Sequence, residues 1–165
     1  MIRFMFIITL FFASFISAQA VAGENIILMR HALAPGYGDP AQFQIDDCAT
    51  QRVLSQEGIE QAREIGQALR EKGLVPTRIL TSPWCRCVDT AREMGLGPYE
   101  VHLGLSSFFE GHVDKDETLA ILRQELQTIG EDELVLLVTH QVVIQALTGI
   151  FVESGGYLLE DSTRF

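Results

Sequence analysis

Two histidines and two arginines stand where short apolar runs give way to turn-forming residues. Arg30 and His31 follow the run in NIILMRHALAPG (25–36), Arg86 follows that in RILTSPWCR (78–86), and His140 closes ELVLLVTH (133–140). Arginine offers a planar, permanently charged fork of donors that matches phosphoryl oxygens. A histidine beside such charges is held neutral, the form in which an imidazole nitrogen attacks. Phosphoryl transfer spreads charge over three equatorial oxygens, so its catalysis is mostly positioning and cationic stabilisation. The quartet therefore suits transfer to His31, with Arg30 and Arg86 holding the phosphate and His140 as a second donor to the transferring group. Singly, each has an ordinary explanation: a solvated strand cap, a surface helix residue, a satisfied core histidine. Their shared position at strand ends sets them apart.

That position requires a particular architecture. Apolar strand-like runs alternate with helical periods, which predicts a mostly parallel central sheet covered by helices, a three-layer α/β/α fold. Ligands of such sheets bind outside the carboxyl ends of the strands. The first strand is 25–29, followed by a Pro- and Gly-rich loop over 32–53. Ser55 reads as a helix N-cap before a stripe of Ile59, Ala62, Ile65, Gly66 and Leu69, ended by Gly73 and Pro76. A second strand at 78–82 leads into a helix entered at Pro83 and running toward Met94. YEVHL (99–103) is a third strand, and Leu119, Leu122, Leu126 and Ile129 mark a further helix. The apolar 133–140 run reads as a central strand, followed by a short buried helix and one edge strand near the end.

The first twenty residues stand apart. Arg3, an apolar run to about Ile16 and Ala18-Gln19-Ala20 form the pattern of a cleaved secretory signal. The run is shorter than the ~20 residues a bilayer crossing needs. Residues 21–165 are then expected to form one exported domain, periplasmic or secreted, without a stable membrane anchor. The formal charge of −10 disfavours nucleic acid and anionic lipid as partners, so any phosphate site must be a local cluster of arginines. Cys48, Cys85 and Cys87 lack the spacing and fourth ligand of a zinc site. Cys85 and Cys87 are too close to pair easily, so a disulfide from Cys48 to one of them is expected in an oxidising compartment, with the choice open. No metal or other cofactor is expected.

LMRHALAPG, LSQEGIEQA, LTSPWCRCVDTA and LVLLVTHQVVI, in this order, resemble the successive motifs of the histidine phosphatase superfamily, which includes phosphoglycerate mutases and acid phosphatases. The resemblance runs from about Asn25 to Ser154, and the length is like that of the group's small exported and signalling phosphatases. It implies the nucleophile at His31, phosphate-pocket arginines at Arg30 and Arg86, and the second histidine at His140. Ala32 and Gln141 stand where glycine is common, and Gln141 is placed to narrow the pocket or to bond substrate. A proton-donating carboxyl is implied after the third strand; Glu110 in SSFFEGH is the foremost candidate, with Asp114 and Glu117 as competitors. His102 and His112 read as exposed loop residues, and Tyr37, Phe43 and Trp84 as residues either of the pocket mouth or of ordinary core and rim packing.

The resulting expectation is an exported phosphatase that hydrolyses phosphomonoesters through a phosphohistidine. Its substrates would be phosphorylated small molecules or envelope sugars, with phosphoprotein side chains also admitted by an open pocket. The alternative is a non-catalytic phosphate- or phosphosugar-binding protein that retains the pocket.

Overall fold

The computed structural model describes residues 23–165, so the leader expected over 1–20 lies outside the described residues. Five strands form one sheet: β1 (Ile26–Arg30), β2 (Arg78–Thr81), β3 (Glu100–Val101), β4 (Val135–Thr139) and β5 (Tyr157–Glu160). Their order is β3-β2-β4-β1-β5, and only β5 runs antiparallel to its neighbour. The helices are α1 (Gln56–Glu71), α2 (Cys85–Met94), α3 (Lys115–Leu126) and α4 (Gln141–Thr148).

Alternation along the central strands assigns the layers. Ile27, Met29, Ile79, Leu136 and Val138 face α1 and α2, where they pack with Ala62, Leu69, Ala91 and Met94. Ile26, Leu28, Leu80, Val135 and Leu137 face the other way, onto Leu119 and Leu122 of α3 and Val143 and Ile144 of α4. With both faces covered, these strands read as continuous apolar runs. The three-layer α/β/α reading of the sequence describes this fold.

Local chemistry explains most boundaries. The Ser55 side chain accepts from the Gly58 amide and starts α1. Gly66 lets α1 meet α2 closely, since a Cβ there would strike the Met94 carbonyl. Four expectations shift. Helix α2 begins at Cys85 with Trp84 as its N-cap, so Pro83 precedes the helix. Strand β3 keeps two exposed residues, because the chain turns into a 3-10 segment at Leu103–Leu105. Ile129 is buried in the core but lies beyond the end of α3. Within α4 only Val143 and Ile144 are buried, so that helix is half solvated.

Cys48 pairs with Cys85 across 37 residues, with their Cα atoms 5.7 Å apart. Two residues along a helix rotate a side chain by about 200°. Cys85 therefore reaches the loop while Cys87 turns into the core, fully buried and free. Closing a loop of this length contributes roughly 4 kcal/mol in the chain-entropy picture. The Gln51 side chain reinforces the tie, accepting from the Cys85 amide at 2.9 Å and donating to the Gln44 and Ile45 carbonyls.

Candidate active site

Register brings the strand ends together. Arg30 pairs with Thr139, and Thr81 with Val138. The ladder continues one residue further, with the His31 amide on Thr139 O and the Ser82 amide on Val138 O, both at 2.9 Å. His31, Ser82 and His140 thus share one edge of the sheet, and α2 delivers Arg86 to the same edge.

His31 is 2% exposed, and its Nδ1 lies 2.8 Å from Ala32 O. A neutral ring therefore donates Nδ1–H to that carbonyl and keeps a lone pair on Nε2. Helix α2 braces this peptide, since Thr90 Oγ1 accepts from the Ala32 amide and donates to Arg86 O. Burial, aided by the positive charges of Arg86, Arg30 and Arg52, pulls the His31 pKa down to about 3. His140 is buried as well, and burial together with Arg86 and His31 holds it well below the ordinary imidazole value. Its Nε2 lies 2.8 Å from Ser82 Oγ, its Nδ1 lies 3.4 Å from Arg86 Nη2, and its ring centre is 5.4 Å from that of His31.

Arg86 forms a buried, two-pronged ion pair with Asp39, Nη1 to Oδ1 at 2.8 Å and Nη2 to Oδ2 at 3.2 Å. Trp84 Nε1 and the Arg52 amide also donate to Asp39. Burial pushes the Asp39 pKa up, but the Arg86 hydrogen bond and these other donors outweigh it and hold the group below its ordinary value. Arg52 Nη1 donates to Ala34 O and Gly36 O, and Arg30 Nη1 to Val152 O. The Nε atoms of Arg30, Arg52 and Arg86 are shielded from water and have no hydrogen-bond partner within the protein. A buried donor left unsatisfied is costly. All three arginines line one cavity of about 250 Å³, together with His31 and His140. Three guanidinium charges, offset by the Asp39 carboxylate and by Glu153 near Arg30, leave this cavity net positive and suited to an anion.

The four residues singled out at the strand ends are brought together. Glu110 lies apart from the cavity wall: its carboxylate accepts from the Asp39 amide at 3.1 Å, behind the Gly38 turn. Its backbone is left-handed, with φ 63°, an uncommon conformation for a non-glycine residue. Trp84 is buried under the mouth, with Phe43 stacked on it at 5.3 Å, so only Tyr37 of the three expected aromatics reaches the cavity. His112 rests on Phe43, while His102 is half-buried against Glu125 of α3. Gln141 lines the cavity, and its amide bridges Val152 N and Ile150 O. Sequence reasoning missed Arg52, Asp39, Ser82 and Ser107. Asp39 sits in a Gly-Asp-Pro triplet that reads as an ordinary turn, and Arg52 carries no signal apart from its place before the Ser55 cap.

The neutral histidines make stability depend on pH. In the unfolded chain His31 takes up a proton below about pH 6.5, whereas in the fold it does so only near 3. Its contribution is complete above pH 6.5 and is lost as the pH falls toward 3, at about 1.4 kcal/mol per pH unit. His140 acts in the same direction. Urea unfolding between pH 7 and 4 should therefore show a steeper loss for the wild type than for His31→Ala. Equal slopes would contradict a neutral His31.

Residues 26–123 match the family model of the histidine phosphatase superfamily (branch 1). Solved structures of similar fold include a mycobacterial glucosyl-3-phosphoglycerate phosphatase (18% identity, 82% of this chain and 88% of that one, TM-score 0.60). The protein histidine phosphatase SixA complexed with tungstate is another (19%, 84% and 90%, TM-score 0.55). A third is a SixA of Nakamurella multipartitia (24%, 73% of this chain, TM-score 0.54), of whose length this chain spans 61%. No curated protein matches the sequence.

Proposed function

The chain belongs to the histidine phosphatase superfamily, and on that premise we propose that it is an exported, metal-independent phosphatase acting through a covalent phosphohistidine on His31. On this reading residues 1–20 are removed and 21–165 work as one domain. The Cys48–Cys85 disulfide is compatible with an oxidising compartment, and no helix among the described residues is long and apolar enough to cross a membrane.

The observation that carries the proposal is the convergence of three arginines, Arg30, Arg52 and Arg86, with a neutral, buried His31 on one cavity. Phosphoryl oxygens dock on Arg30, Arg52 and Arg86, which supply the charge stabilisation that the transfer demands. The Nε2 lone pair of His31 attacks phosphorus, the bond to the leaving oxygen breaks, and that oxygen takes a proton. Water then attacks phosphorus, the P–N bond breaks, and inorganic phosphate leaves with His31 restored. Arg86 Nη2 can only donate to His140 Nδ1, so the neutral His140 ring carries its proton on Nε2 and donates it to Ser82 Oγ; a phosphoryl oxygen that draws Arg86 Nη2 away would free Nδ1 to take up a proton and become a second donor.

Glu110 is proposed as the donor of the leaving-group proton, a role that requires its carboxylate to swing from behind Gly38 onto the cavity wall. Its carboxylate packs against Gly38, a residue of the cavity wall, and its left-handed backbone is the kind of local strain found at functional turns. Glu110→Gln should lower kcat on alkyl phosphates by on the order of 10²-fold and leave nitrophenyl phosphate much less affected. An equal loss on both would assign Glu110 to holding the Asp39 loop instead.

The mechanism as a whole is tested by intact mass after rapid, acid-free quenching with a phosphomonoester. A phosphoryl adduct in the wild type that is absent from His31→Ala supports it. Absence of both adduct and released phosphate would leave a phosphate-binding protein.

A further inference from the structure

Three aromatic side chains from three separate segments reach the mouth of the cavity. Tyr37 comes from the loop before α1, Phe109 from the 3-10 turn Phe109–Gly111, and Phe151 from the loop between α4 and β5. Tyr37 is 87% exposed and Phe151 62%. Exposed rings gathered at one place mark a binding surface better than scattered ones do. Their placement is also supported. Phe109 and Tyr37 meet edge to face at 5.1 Å, the Arg30 guanidinium lies 5.8 Å from the centre of the Phe151 ring, and Gln141 bonds the backbone on both sides of Phe151.

The same wall is notable for what it lacks. Apart from the arginines and histidines of the floor, none of the residues lining the cavity carries a charge, and two of them, Gly36 and Gly38, have no side chain. A leaving group held here meets ring faces, backbone and two neutral polar side chains, Ser107 and Gln141, besides the Glu110 carboxyl proposed as its proton donor. A second phosphate on the substrate finds no cation among the lining residues beyond the arginines of the floor.

Building on the phosphatase reading, we infer that Tyr37, Phe109 and Phe151 form a leaving-group subsite that selects phosphomonoesters of uncharged, ring-bearing alcohols over those of acyclic ones. Arg30 links the two halves of the site: the guanidinium that holds a phosphoryl oxygen also rests against the Phe151 ring. A ring attached close to the ester oxygen is thereby brought against Phe151 when its phosphate docks.

The test compares benzyl phosphate with n-propyl phosphate, whose leaving alcohols are of similar acidity, so that the ratio of kcat/KM reads contact with the ring. The wild type should prefer the benzyl ester by about 10-fold. Tyr37→Ala and Phe151→Ala should each cut that ratio roughly 3-fold or more, mainly through KM. A general loss of structure would lower both substrates together and leave the ratio unchanged. A wild-type ratio near one, or a ratio unmoved in both variants, overturns the inference. Calorimetric binding of benzylphosphonate against propylphosphonate reads the same preference without turnover. If neither ester is hydrolysed, the phosphatase reading fails, while a retained phosphonate preference keeps the ring subsite and loss of that preference removes it.

Discussion

His31→Ala should abolish phosphomonoester turnover, a loss on the order of 10⁴-fold or more, as when a covalent nucleophile is deleted. The structure holds no second imidazole ready to replace it. His140 is engaged at both ring nitrogens, with Ser82 Oγ at Nε2 and Arg86 Nη2 at Nδ1. The fold should survive, because the side chain removed is neutral and leaves no buried charge without a partner. Oxyanion binding should also persist, since Arg30, Arg52 and Arg86 remain in place. The measurement pairs release of nitrophenol with tungstate binding on the same preparation. Undiminished turnover in a protein that still binds tungstate would rule out His31 as the nucleophile.

Arg86→Ala should be damaging in two separable ways. Asp39 and Arg86 are 4% and 3% exposed, and removing the arginine strands a buried carboxylate. Breaking such a pair from one side costs about 3–5 kcal/mol. Turnover should fall by 10²-fold or more, because a guanidinium aimed at the transferring group is gone. Combining the change with Asp39→Asn separates the two effects. The double variant should regain much of the stability, since no uncompensated charge remains, and none of the activity. Denaturant unfolding and kcat/KM for the two single variants and the double one complete the cycle. Recovery of activity in the double variant would show that Arg86 serves structure alone.

Legibility in the sequence followed how local each determinant is. Helix α1 could be read end to end, because Ser55 caps it and its buried positions repeat at helical spacing. The strand-end residues Arg30, His31 and His140 could be read because a parallel sheet presents all its carboxyl ends on one edge. Arg52 and Asp39 could not. Their roles arise from a loop whose course is fixed by tertiary contacts, the Cys48–Cys85 bond and the Arg86 ion pair, and nothing in the loop's own composition announces either. For Trp84 the sequence leaves the pocket mouth and core or rim packing equally open. Here its N–H finds Asp39 and the ring closes over beneath Phe43. Glu110 was placed by position along the chain, and the turn that carries it folds the carboxylate behind Gly38 rather than onto the wall.

Cys87 supplies a built-in reporter of the site's own breathing. Its sulfur lies 3.5 Å from His140 Nε2, and burial pushes the thiol up to about 12, so in the closed protein it is neither reachable nor ionised. It is also the free cysteine left by the disulfide. An alkylating reagent can therefore modify it only during excursions in which the floor of the cavity lifts away. Slow modification under native conditions then measures the free energy of that local opening, separately from global unfolding. An oxyanion seated on the three arginines should lower the modification rate in proportion to its occupancy, giving a binding curve without any turnover.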